Sequence, residues 1–577
     1  MPVLNEKQWN NLMTVFAETK AEYDIIDEST FVQTEQFVQA QKPGVSVIIG
    51  RKGAGKTALL KGYRTLRAED YKGIVYVNVN ALEFDMIYAH FYSDALQHAQ
   101  GVQAKLFPRI PLTNFVSAER IFEYAWKNSF ISLAVLELDR SIAGGQLESG
   151  GDLGSLSQAA AALRKNLGLQ PVQQVAPQTL LNGLFSHFLS LLSSLTPSVE
   201  VSNGTRVGVS LAPFVTKIET YLTGRGAPEL EATLVSLRSA MAATHALVLI
   251  ECDQFDDFLS RMATPAYLIH GDAEVQALTR RALLMDMLKG LVDAVHSIKT
   301  AEDGIEGMHL LVTVPTDKFL ELDLREKDMI RRKHVVELRW DMKELLSFTG
   351  RRIAKALDLP FSPDDARKLW GRVFPGVVQN RETDVPEDSF LYMVRHSQWR
   401  PRDLQRFLRD ILERCSGKRT IDPEDFAASI HTTCSTSIRD EFLQEFQTEY
   451  PFIHDVINQL RGTKNLRTQM DYDALYSCLR NQRLSHAISS PRDVIIRLFE
   501  MGVVGVRATR RSPEKGRTVF QSSNHVYYKY AYNSVDRDPI GPGMTVVFHP
   551  MFFEELDCHH EEKHVIHELR WEMFEES

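Results

Sequence analysis

The sequence predicts an α/β fold built on a parallel sheet, and three observations predict it. Five short apolar runs, Val45–Ile49, Ile74–Val79, Ala246–Cys252, His309–Val314 and His334–Leu338, have the continuous apolar character of strands buried on both faces. Stretches with helical spacing separate them, which places helices on the faces of the sheet. The first run leads straight into a glycine-rich segment, Gly50–Thr57, and then into a helix-like run, Ala58–Lys61.

That segment fits G-x-x-x-x-G-K-[ST] at Gly50, Gly55, Lys56 and Thr57, with Arg51, Lys52, Gly53 and Ala54 between. The residue types follow from the chemistry of holding phosphate. Glycines let backbone N–H groups close around anionic oxygens, Lys56 reaches the β- and γ-phosphates, and Thr57 offers a hydroxyl to Mg²⁺. The new helix adds the positive end of its dipole. ATP and Mg²⁺ are therefore the expected ligands.

A phosphate loop also needs a carboxylate at the end of a neighbouring strand to hold the metal. The run Ala246–Asp257 supplies it in one of two registers. Asp253 is the metal-site carboxylate in one, and Glu251, directly after the apolar run, in the other. Strand side chains alternate, so both face the same side. If Asp253 holds the metal, Gln254 occupies the position of a water-activating glutamate. A glutamine orients water but does not take its proton. Slow hydrolysis is then expected, with Glu251 or Asp256 as substitute base.

At 577 residues the chain is too long for one core, and about three to four domains are expected. The phosphate-loop core spans 1–340. The gap of about 165 residues between its second and third strands exceeds any ordinary crossover, which implies an inserted helical subdomain at about 90–240. Within it, Leu180–Leu195 reads as a helix and residues 143–157 as a flexible loop. Residues 341–437 read as an all-helical lid, with helices at Met342–Leu357, Pro363–Leu369, Arg402–Cys415 and Pro423–Ser429. Residues 438–557 run from helices to a helix ending at Gly502, then to β-like segments at Val503–Arg507, Val519–Tyr532 and Thr545–His549. This order looks like a winged helix. A polar helical tail, 558–577, closes the chain.

The basic loop between the first two β-like segments carries Arg507, Arg510, Arg511, Lys515 and Arg517 against Glu514. Arg510, Arg511, Lys515 and Arg517 are the candidate contacts to DNA phosphates. A solvated hairpin tip or a protein-docking wing is the alternative. The chain as a whole carries 66 Lys and Arg against 75 Asp and Glu, a net charge of −9, which excludes coating nucleic acid with the entire surface. Cys252, Cys415, Cys434, Cys478 and Cys558 are scattered and form no C-x-x-C pair, so neither a disulfide framework nor a zinc ribbon is expected. No apolar signal core opens the sequence and no run of about 18 apolar residues occurs. The cytoplasm is the expected compartment, with no membrane span. His560–His564 fits H-E-x-x-H, but its intervening residues are charged and too few residues follow to complete a protease, so we read a charged terminal helix.

With these pieces in order, the chain resembles the AAA+ P-loop ATPases of the origin-recognition-like and STAND-like group, in particular bacterial relatives associated with anti-phage defence. The resemblance spans nearly the whole chain except the insertion. It implies that Thr313 or Thr316, in the fourth strand's segment Leu310–Asp317, senses the γ-phosphate. Arg331 or Arg332, before the fifth strand, would be a finger reaching a neighbouring subunit's nucleotide, with Arg332 the favoured candidate. Arg402, in Trp399–Leu404, would contact the nucleotide from the lid. The large insertion and the irregular acidic motif depart from the family pattern. The plainer reading of Arg331 and Arg332 is a solvated helix end favoured by the dipole.

These readings lead to an ATP-binding and hydrolysing switch or scaffold that assembles with itself and with a partner effector protein, with a role in anti-phage defence resting on the resemblance. A DNA-binding loader or initiator is the first alternative. A nucleotide-binding interaction module with negligible hydrolysis is the second.

Overall fold

In the computed structural model the described residues are all except 1–2, 43, 92–111, 113–115, 146–152, 170–174, 196–211, 223–227, 263–271, 301–304, 325–326, 381–384, 419, 448–449, 451–452, 462, 464–465, 481–489, 511–524, 531–539, 559–570 and 572–577. The chain divides into two compact units. One comprises Glu35–Arg51 and Leu59–Leu338; the other comprises Met1–Thr34, Lys52–Ala58 and Arg339–Ser577.

The first unit is α/β. Its strands are β1 (Val47–Gly50), β2 (Gly73–Asn78), β3 (Val248–Asp253), β4 (Met308–Pro315) and β5 (Val335–Glu337). All pair in parallel, in the order β2-β3-β4-β1-β5. Thus the five apolar runs form one parallel sheet. β3 and β4 are buried along their whole length because they lie inside the sheet, whereas edge strand β2 alternates buried and half-buried residues. Register sets what shares a row: Ile48 of β1 lies beside Thr313 of β4.

The long segment between β2 and β3 is helical where described, and its helices share the sheet's core. The central one, Ala118–Ala143, buries Phe122, Trp126, Phe130, Val135 and Leu138. It lies along the helix Asp272–Thr300, to which Trp126 Nε1 donates at the Met287 carbonyl (3.1 Å) and Glu119 pairs with Lys289 (2.7 Å). The two backbones approach closely at Gly290. A Cβ there would sit 2.6 Å from the Glu123 nitrogen and 2.7 Å from the Glu119 carbonyl oxygen. Helix backbone atoms yield little, so Gly290→Ala should destabilise the chain by about 1–3 kcal/mol, read as a lowered midpoint in thermal unfolding.

The second unit is mainly helical. The sequence expectation ran the sheet domain from residue 1, but the first 34 residues group with this unit instead. The reason is packing. Trp9, Leu12, Val15 and Phe16 of helix Glu6–Phe16 are buried in its core, against helices Met342–Ala356 and Pro401–Arg414. Beyond that helix, the buried Arg352 pairs with Asp24 at 2.6 Å and stacks 3.9 Å over the Phe348 ring. A short antiparallel pair, β6 (Val377–Gln379) and β7 (Pro386–Asp388), interrupts the helices.

The C-terminal part holds β8 (Gln469–Asp471), β9 (Val504–Arg510), β10 (His525–Lys529) and β11 (Thr545–Phe548), an antiparallel sheet in the order β10-β9-β11-β8. Helices Tyr472–Arg480 and Pro491–Met501 lie between β8 and β9 in sequence. The second has clear local causes. Ser490 caps its N-terminus by accepting from the Asp493 N–H, Pro491 opens the first turn, and Gly502 at φ +80° ends it.

Candidate functional site: the phosphate loop and the sheet end

β1 ends at Gly50, and the helix Lys56–Leu66 begins six residues later. Gly53 (φ +80°) and Gly55 (φ +98°) both sit in the left-handed region that side chains disfavour. Lys56 is buried at the helix start, with 6% of its surface exposed, and Thr57 is half-buried. Two donors of the helical unit hold carbonyls of the loop. The Arg400 guanidinium donates through Nη1 to the Lys52 oxygen (3.1 Å), and Trp340 Nε1 donates to the Ala54 oxygen (2.7 Å). Arg402 lies against Gly53, where a Cβ would meet its Cβ at 3.3 Å and its Nε at 3.4 Å. A Gly53→Ala chain therefore meets both a backbone penalty of about 1–2 kcal/mol and the Arg402 stem. It should bind nucleotide measurably more weakly in a titration with a fluorescent ATP analogue.

The turn before helix Pro401–Arg414 has its own logic. Pro401 at the first helical position has no N–H to leave unsatisfied. Asp403 accepts from the Gln398 N–H (3.0 Å) and pairs with Arg400 Nε (3.0 Å), which fixes residues 398–400. Trp399 takes φ +55° to make the turn.

At the sheet end, Glu251 and Asp253 are fully buried on one face of β3 and have different partners. Asp253 accepts a short hydrogen bond through Oδ1 from the Thr313 hydroxyl on adjacent β4. Thr316 instead begins the following helix, Thr316–Glu321. Glu251 Oε2 pairs with Arg64 Nη1 at 2.5 Å, and the Arg64 guanidinium lies 4.1 Å over the Tyr76 ring. Gln254 follows Asp253 at φ +76°, and Asp256 is half-buried in helix Phe255–Met262.

Burial pushes the Glu251 carboxyl up from 4.5 to about 8, against the pull of Arg64 and helped by the nearby Asp253 charge. Between those values the folded chain keeps a proton that the unfolded chain has released. This contribution to stability is present below about pH 4.5 and is lost as pH rises through about 8. Denaturant midpoints across that window should therefore fall less steeply with pH in Glu251→Gln than in the wild type.

Arg331 and Arg332 are exposed in the last turn of helix Lys327–His334, with Arg331 3.8 Å from Glu337. Arg510 ends β9, paired in register with His525. Arg511, Lys515, Arg517 and the H-E-x-x-H segment lie outside the described residues. Sequence reasoning missed Arg64, Trp340 and Arg400. Only Arg400 stood within a motif already read, two residues from Arg402.

The family described as the FunZ-associated C-terminal helical domain matches residues 343–440, the stretch that contains Arg400 and Arg402. No curated protein matches the chain. Among solved structures, a Walker-type ATPase of Pyrococcus abyssi aligns over 90% of this chain and 97% of its own, at 12% identity and a TM-score of 0.30.

Proposed function

We propose that the chain is a Mg²⁺-dependent ATPase that works as a conformational switch. The observation that carries this reading is the loop itself: a buried parallel strand, two glycines at positive φ, and a lysine at the first turn of the next helix. This arrangement suits an anionic ligand, because backbone N–H groups, the helix end and an ammonium all favour negative charge. The donor set also suits a hard cation. Thr57 and Asp253 would hold Mg²⁺, which when bound neutralises charge on the β- and γ-phosphates. Thr313 donates to the Asp253 carboxylate and in this reading would report on the γ-phosphate, while Arg402 would contact the nucleotide from the lid. Gln254 can orient water without accepting its proton, so turnover is expected to be slow.

Assembly with further copies, with Arg332 reaching a neighbour's nucleotide, is part of the same proposal, as is a partner effector protein. Among the described residues no helix is long and apolar enough to cross a membrane. A role in anti-phage defence is carried by family resemblance alone. The test is turnover together with oligomer size: Mg²⁺-dependent phosphate release and an ATP-dependent change in mass without DNA support the switch. Tight ATP binding with no phosphate release would instead favour a nucleotide-binding interaction module.

A second reading is favoured by the C-terminal order of short strand, two helices and antiparallel strands, which suits a winged helix with its basic loop as wing. A DNA-binding loader would show DNA-stimulated turnover. Its DNA affinity should fall steeply with salt, and with Arg510 and Arg511 both changed to Ala; insensitivity to both changes rejects it.

A further inference from the structure

The turn Ser397–Arg400 is bonded in two directions within the helical unit. Toward the phosphate loop, Arg400 Nη1 donates to the Lys52 carbonyl. Toward the C-terminal part there are three links. The same Arg400 Nη1 meets Glu445 Oε2 of helix Arg439–Gln447 at 3.0 Å, and Gln398 Nε2 donates to the Met501 carbonyl at 3.1 Å. His549, after β11, places Nε2 3.1 Å from the Ser397 carbonyl. Arg400 is buried, so its charge depends on Asp403 and Glu445 for compensation.

The bond to Lys52 has a geometric consequence. In a planar trans peptide the C=O and the following N–H point in opposite directions. Holding the Lys52 carbonyl toward Arg400 turns the Gly53 N–H the other way, and holding the Ala54 carbonyl toward Trp340 does the same for the Gly55 N–H. Those N–H groups are the ones a phosphate would use.

We propose that Arg400 is a positioning residue for the nucleotide site and that, through Glu445, it couples nucleotide binding to the C-terminal helices and sheet. The inference rests on the nucleotide reading above and adds to it the route by which occupancy is passed on. Coupling is reciprocal, so a change at Glu445 must alter affinity at the loop although Glu445 is not one of the loop's phosphate ligands.

The experiment uses the full chain with mant-ATP and Mg²⁺, reading affinity by fluorescence and the helix Arg439–Gln447 by amide hydrogen exchange. In the wild type, nucleotide should change exchange in that helix. Glu445→Gln should bind about 5-fold or more weakly and lose the exchange response. Arg400→Lys keeps the charge but not the planar fork. It should weaken binding likewise, and adding Glu445→Gln should weaken it no further. A Glu445→Gln chain with wild-type affinity and a wild-type exchange response overturns the coupling. Failure of the wild type to bind mant-ATP removes the nucleotide site and the inference with it, whereas binding with an unresponsive helix removes the inference alone.

Discussion

Replacing Lys56 by Ala is expected to lower ATP turnover by about 10²–10³-fold and to abolish the rise in thermal midpoint that ATP confers on the wild type. Lys56 is almost fully buried at the first residue of its helix. A cation there meets the positive end of the dipole, an arrangement that an arriving anion relieves. The same substitution should leave the ligand-free chain folded, because Arg400 and Trp340 still hold the loop carbonyls. Loss of turnover together with a collapse of the ligand-free fold would contradict this account, because Lys56 would then be a structural residue.

Asp253→Asn should cost turnover at least about 10²-fold, with little loss of stability. The amide keeps the shape of a buried side chain and still accepts from the Thr313 hydroxyl, while removing the charge a divalent cation needs. Affinity for ATP without Mg²⁺ should change little. Thr313→Ala combined with Asp253→Asn should cost less than the sum of the two single losses, since the hydroxyl acts in part on that carboxylate. An Asp253→Asn protein with unchanged turnover sinks the assignment. If Glu251→Gln then lost activity, the role would pass to Glu251.

The fold was legible where residue patterns are local. β3 and β4 stand on mostly apolar runs and are buried throughout because both faces are covered, and the phosphate loop announces itself through spacing. Strand ends were less legible: β5 is only three residues long, so the apolar run around it overstated the strand. The grouping of residues 1–34 with the helical unit had no local signal, since Asp24 finds Arg352 only after 328 positions. The two registers of the acidic segment could not be separated by alternation, which places both carboxylates on one face. Their partners differ, Glu251 with Arg64 and Asp253 with Thr313, and such pairing belongs to the folded sheet. Trp340 and Arg400 escaped notice for the same reason, because a backbone carbonyl leaves no mark in a sequence on the donor that will reach it.

The loop carbonyls at Lys52 and Ala54 are held by residues 348 and 286 positions later. On the ribosome the loop emerges long before Trp340 and Arg400 exist. At roughly 5–20 residues per second, about 20–70 s separate the synthesis of the loop from that of Arg400. A nascent chain ending before Arg400 carries every residue of the phosphate-loop motif and none of the guanidinium that orients it. ATP retention by stalled chains should therefore rise only once the turn that carries Arg400 has left the exit tunnel, which makes nucleotide capture a late event in the life of a new molecule.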